Sequence, residues 1–101
     1  MRYENVDFDF LSAAGPPETL RGTVVVRDAE MVLEVECPDE PRPYTIPAKA
    51  THNVFHGRHV GLPDDVPVEA KWTQLDDIFI GTWIEHGIDY VFTFRLPDAE
   101  V

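Results

Sequence analysis

The stretch VEAKWTQLDDIFIGTWIEHGIDYVFTFRL, residues 68–96, decides the fold. Apolar residues recur in it at every second position, the period of a strand with one face turned inward. Asp76-Asp77 and His86-Gly87 interrupt the alternation, and both pairs suit a two-residue hairpin loop, where positive φ is common. Such a loop fixes which residues stand opposite, and opposed residues share a face, so the reading can be tested. A turn at Asp76-Asp77 sets Gln74 against Phe79, Trp72 against Gly81 and Ala70 against Trp83. A ring beside a glycine or alanine is sound cross-strand packing. A turn at His86-Gly87 sets Glu85 against Ile88, Trp83 against Tyr90, Gly81 against Phe92 and Phe79 against Phe94. Both hairpins therefore put Trp72, Phe79, Trp83, Tyr90, Phe92 and Phe94 on one face, with Val68, Ala70, Ile88 and Leu96 beside them and Glu85 near its end.

The opposite face is only half polar. It holds Glu69, Lys71, Thr73, Asp89, Thr93 and Arg95, but also Leu75, Ile78, Ile80, Ile84 and Val91. A strand apolar on both sides is expected beneath a second layer, a partner subunit or a terminal segment. The partner case predicts a homodimer through Ile78, Ile80 and Ile84.

Period-two alternation also runs through the rest of the chain, and no segment of about 11 residues or more holds the spacing of an amphipathic helix. The alternation and its Pro, Gly and Asp breaks predict strands at residues 5–12, 20–28, 30–38, 43–48, 52–60, 66–75, 78–85 and 88–96. A third turn, at Asp28-Ala29, opposes Val26 to Met31, Val24 to Leu33 and Gly22 to Val35, with Arg27 against Glu30 and Arg21 against Glu36 on the charged face. The fold class is all-β, an antiparallel meander of about eight strands, closed as a barrel or divided as a two-sheet sandwich. Pro47 restricts its strand to an edge or a bulge. Pro63 and Pro67 bracket a loop around Asp64-Asp65.

At 101 residues, with 44% hydrophobic and 11% aromatic content, the chain suits one domain over residues 1–101 with one self-sufficient core. Nineteen acidic against eight basic residues leave a formal charge of −11, which argues against binding nucleic acid or an anionic membrane, since both are held chiefly by Lys and Arg. The acidic residues, with concentrations such as Asp39-Glu40, Asp64-Asp65 and Asp76-Asp77, would also suit docking to a basic protein. The first ten residues carry Glu4, Asp7 and Asp9 where a secretory leader would be basic and then apolar. No apolar run approaches the ~20 residues of a spanning helix, and a cytoplasmic location is expected.

Little in the chain points to nucleophilic or cofactor chemistry. Cys37 follows Met31, Leu33 and Val35 in parity and reads as a small buried hydrophobe. Ser12, the only serine, lacks a nucleophile elbow, and no phosphate-binding glycine loop or paired cysteine motif occurs. No cofactor is expected. His52, His56 and His59 are the candidate metal ligands, but on a strand the first two point one way and the third the other. No metal site is therefore assigned. Glu85-His86 is the candidate acid–base pair, a carboxylate at the rim of the aromatic face and an imidazole at the turn.

The segment Phe79-Ile-Gly-Thr-Trp-Ile-Glu85, followed by the aromatic strand to Leu96, resembles the Gly-x-Trp strand of the lipocalin-like, or calycin, barrels. The resemblance is limited to residues 79–96. It implies an antiparallel barrel holding a small apolar or aromatic ligand, and some lipocalin-like barrels are enzymes acting on phenolic acids or cofactor precursors. The leading expectation is a binding module for a small hydrophobic or aromatic molecule, lined by Trp72, Phe79, Trp83, Tyr90 and Phe92, with Glu85 fixing orientation. The alternatives are an enzyme using Glu85 as general acid or base, and an acidic protein-interaction domain.

Overall fold

All eight expected strands form in the computed structural model, which describes residues 1–13, 15–38, 43–59, 68–85 and 87–96. His86, Asp39-Glu40, and Asp64-Asp65 with Pro63 and Pro67 lie outside the described residues. The strands are β1 (Arg2–Ser12), β2 (Gly15–Arg27), β3 (Glu30–Val35), β4 (Tyr44–Thr51), β5 (Val54–Arg58), β6 (Val68–Leu75), β7 (Ile78–Glu85) and β8 (Ile88–Phe94). Each pairs antiparallel with the next, and β1 pairs with β8, so the sheet closes into a barrel and the sandwich is excluded. No helix among the described residues is long and apolar enough to cross a membrane.

The registers set by the turns are those observed. Trp72 faces Gly81, Ala70 faces Trp83, Trp83 faces Tyr90 and Phe79 faces Phe94. Val24 faces Leu33, and Gly22 faces Val35. Asp28 and Asp76 adopt φ of 48° and 64°, and Gly87 of 74°, as tight hairpins demand. Strand ends differ more. The segment expected as a strand from residue 52 begins at Val54, because His52 and Asn53 take φ of 52° and 71° and form the turn between β4 and β5. β1 begins earlier than residue 5, crossing a bulge between Tyr3 and Val6 with Asn5 at φ 61°.

Two expectations are corrected. β4 is not an edge strand, because closure leaves no edge. Pro47 pairs with Val32 of β3 on one side, and the ladder to β5 runs only from Ala48 opposite Gly57 to Thr51 opposite Val54. Pro47 has no N–H to extend that ladder. The second correction concerns β7: among the described residues neither a second layer nor a terminal segment covers its outer isoleucines. Ile80 and Ile84 are exposed, as are Leu11 and Val91, and Ile78 is half-buried. Curvature buries one face of each strand and turns the other to solvent.

The inner face is built of rings. Phe92, fully buried, lies 5.7 Å from Phe10 and from Trp83, 5.9 Å from Trp72 and 6.0 Å from Phe94, ring centre to ring centre. Phe79 stacks on Phe94 at 4.9 Å, and Phe55 stacks on Trp72 at 5.8 Å. Offset and edge-to-face pairs of this kind add to the stabilisation from area burial. Gly81 makes the crowding possible: a Cβ there would lie 1.9 Å from the Lys71 carbonyl oxygen and 2.6 Å from Trp72 Cα.

Candidate functional site

In an antiparallel meander, alternate connections share an end of the barrel. One end carries the tight turns at residues 28–29, 52–53 and 76–77. At the other, here the mouth, β1, β3, β5 and β7 end and β2, β4, β6 and β8 begin. Tyr44 opens β4, His59 follows β5 and Glu85 closes β7, so topology brings all three to the mouth.

Glu85 is the organising group. Its Oε1 accepts a hydrogen bond from Trp83 Nε1 at 2.9 Å and its Oε2 accepts one from the Tyr44 hydroxyl at 2.9 Å. Trp83 and Glu85 are two apart on one strand, so their side chains share the inner face. An indole N–H can only donate, which fixes Oε1 as an acceptor. Trp83 and Tyr44 are buried while Glu85 is half-buried, so the carboxylate lies at the boundary between ring core and solvent. Its partners are two neutral donors. Every described Lys and Arg is exposed, and the ion pairs Arg2–Glu4, Arg21–Asp7, Lys49–Glu30, Arg58–Glu69 and Arg95–Asp77 all lie on the outer surface.

His59 stands beside this group, its ring edge-on to Tyr44 at 5.0 Å. Its position follows from Pro47. With the β4–β5 ladder stopped there, Thr45 retains an N–H and a carbonyl on that side, and the imidazole lies against both. The Thr45 N–H donates to His59 Nδ1 at 3.1 Å, and the Thr45 carbonyl oxygen is 3.2 Å from the same nitrogen. In the tautomer protonated at Nε2, Nδ1 is free to accept from this amide. That Nε2 is shielded from solvent and has no hydrogen-bond partner among the described residues. Leaving a buried donor unpaired costs on the order of 1–3 kcal/mol.

The residues singled out from sequence separate by depth. Trp83, Glu85 and Tyr90 are at the mouth, with Phe10 against Trp83 at 5.1 Å and Tyr90 at 6.1 Å. Trp72 and Phe92 lie deeper, with their rings against each other, Phe79 is buried near the far-end turn and stacked on Phe94, and Trp72 Nε1 points at Met31 Sδ at 3.2 Å. The three histidines do not converge: His52 is in the turn at the far end, His56 is exposed on β5 and His59 is at the mouth. No group of three or more metal-ligating side chains occurs among the described residues. Cys37 is half-buried against the core. Tyr44 and the placement of His59 were not anticipated. The alternation Tyr44, Ile46, Ala48 carries the signal for Tyr44, while that for His59 is the missing donor at Pro47.

The comparisons bear on this geometry at the level of fold. The structure is similar to a redesigned β-barrel, mFAP1, solved bound to DFHBI, with a TM-score of 0.62 and 14% sequence identity over 89% of this chain and 90% of that one. A scan against protein-family models finds no match, and neither does a search of the curated proteins. The chain is thus a small, closed, eight-stranded antiparallel β-barrel.

The outer wall also has a groove of about 480 Å³ near the mouth, whose apolar lining includes Leu11, Ala13, Ile84 and Val91. Leu11 pairs with Val91, and Val91 with Thr82, so the apolar residues of β1, β8 and β7 are contiguous there.

Proposed function

We propose that this barrel is a lipocalin-like binding module that takes a small hydrophobic or aromatic molecule at its mouth. Phe10, Trp83 and Tyr90 form the apolar wall, Trp72, Phe79 and Phe92 the ring floor beneath, and Glu85 fixes orientation by accepting a hydrogen bond from the ligand. One observation carries the reading: a half-buried carboxylate held by Tyr44 and Trp83 at the rim of an aromatic interior. An apolar concavity with few, well-placed polar groups is the usual form of a small-molecule site. Up-and-down eight-stranded barrels are wide enough to hold one such ligand, and the similar redesigned barrel was solved bound to DFHBI. Both carboxylate oxygens already accept bonds, which favours Glu85 as a fixed acceptor over a group that shuttles protons.

Titration with a panel of aromatic molecules, followed by Trp fluorescence, tests the proposal. Saturable quenching that weakens several-fold in Glu85→Gln is expected. The absence of saturable change across the panel would refute the reading.

The exposed Ile80, Ile84, Leu11 and Val91 favour a second reading, self-association through the outer face of β7 with half-buried Ile78 at its border. Light scattering decides it: a dimer mass that Ile84→Glu converts to monomer supports the interface, and a monomer at every concentration removes it.

A further inference from the structure

We infer that the ligand of this mouth is an organic cation, an apolar or aromatic body bearing a protonated amine or amidine. The inference rests on the binding reading above and names its ligand class. A carboxylate offers only acceptor sites, so whatever meets Glu85 must donate. The donors it already holds, the Tyr44 hydroxyl and the Trp83 indole N–H, are neutral. Among the described residues no Lys or Arg pairs with it: each is exposed, and the described ion pairs lie on the outer wall. Solvent at the half-exposed rim balances the carboxylate's charge in the free protein.

A ligand seated over Glu85 removes that solvent. Covering a carboxylate is unfavourable unless the covering group is itself charged and hydrogen-bonded to it. A neutral apolar ligand gives no return for the lost hydration, and an anionic one adds repulsion. A cation restores the balance and gains a charge-assisted hydrogen bond. The surroundings point the same way. Among the described residues no Lys or Arg is buried at the mouth to receive a carboxylate ligand, the formal charge of −11 draws cations toward the protein, and the half-buried Tyr90 offers an aromatic neighbour for one.

Three ligands of one shape test the inference: 2-naphthylmethylamine, 2-naphthylmethanol and 2-naphthoate, titrated by calorimetry against the intact chain at low and at ~0.5 M salt. The amine should bind about tenfold tighter than the alcohol, as a charge-assisted bond exceeds a neutral one, and the naphthoate weakest. Salt at this strength screens exposed charges but not a contact pair at a partly buried site, so the amine's preference should persist. Glu85→Gln, with its fold checked by circular dichroism, should weaken the amine far more than the alcohol and so bring the two together. Asp89→Asn, which removes an exposed charge on the neighbouring strand, should change neither. Equal affinity for amine and alcohol, or a preference that survives Glu85→Gln or vanishes in salt, overturns the cation assignment and leaves the binding reading standing. Failure of all three to bind overturns both.

Discussion

Removing the Glu85 side chain tests whether the mouth is a built site or a chance meeting of polar groups. In Glu85→Ala the Trp83 indole N–H, in a residue only 2% exposed, loses its 2.9 Å acceptor, and the Tyr44 hydroxyl, in a residue 3% exposed, loses its bond of the same length. Hydrogen bonds to charged acceptors contribute about 1.5–3 kcal/mol each. Half-burial of Glu85 keeps both near the low end, and release of its half-buried charge offsets part of the loss. A net cost of about 2–3 kcal/mol follows, equivalent to roughly 10–20 °C in Tm for a domain of this size. Tyr44→Phe removes one of the two bonds and should cost about 1 kcal/mol, with about 1 kcal/mol of coupling in the double variant, since the two residues share that bond. Glu85→Gln behaves differently. Its amide can give the oxygen to Trp83, which only donates, and the NH2 to the Tyr44 oxygen, which also accepts, so the loss stays near or below about 1 kcal/mol. Urea unfolding followed by circular dichroism measures all four. A Glu85→Ala variant within about 0.5 kcal/mol of the parent, or strictly additive double-variant energies, would refute the reasoning.

Gly81→Ala would place a methyl 1.9 Å from the Lys71 carbonyl oxygen; because backbone must move, the cost should reach or exceed the upper end of the ~1–3 kcal/mol typical of overpacking, and a thermal melt unchanged within 2 °C or so would contradict it. Phe92→Ala empties the centre of the ring cluster and should lose about 3–5 kcal/mol in urea unfolding, with a loss below about 1.5 kcal/mol counting against a packed interior. Long-range proton–nitrogen correlation spectra of His59 should show the proton on Nε2, and a proton on Nδ1 would undo the argument that Thr45 donates to it.

The fold was legible wherever a two-residue turn pinned the register. Asp28-Ala29, Asp76-Asp77 and His86-Gly87 each fix a pairing, and once Trp72 is opposite Gly81 and Trp83 opposite Tyr90, the aromatic interior of β6, β7 and β8 follows without further information. Alternation alone does not say what lies over the other face. The isoleucines of β7 fitted a second layer, a partner subunit or a terminal segment, and closure, which makes that face the outside of a barrel, removes the first of these. Pro47 misled for a related reason: it marks a missing donor, which an edge strand satisfies trivially, but which a barrel strand satisfies by ending one of its two ladders early.

The site was half legible, and the divide follows sequence separation. Trp83 and Glu85 are two residues apart on one strand, so a carboxylate reaching back to the indole N–H is a local consequence of the strand period. Tyr44 is 41 residues from Glu85 and reaches it only because the barrel closes with β4 and β7 facing across the mouth. The connections at 36–43 and 59–67 are too long to fix a register, so neither Tyr44 nor His59 could be placed from the chain alone. The strand ends that these connections join lie at the mouth, whereas three tight turns lie at the far end. The end whose geometry is least determined by local sequence thus also carries the half-buried carboxylate and the shielded imidazole donor. Rings and aliphatic side chains make up the rest of the described core, which leaves the mouth as the part of the barrel where Tyr44, Trp83 and Glu85 bring polar atoms to the edge of that core.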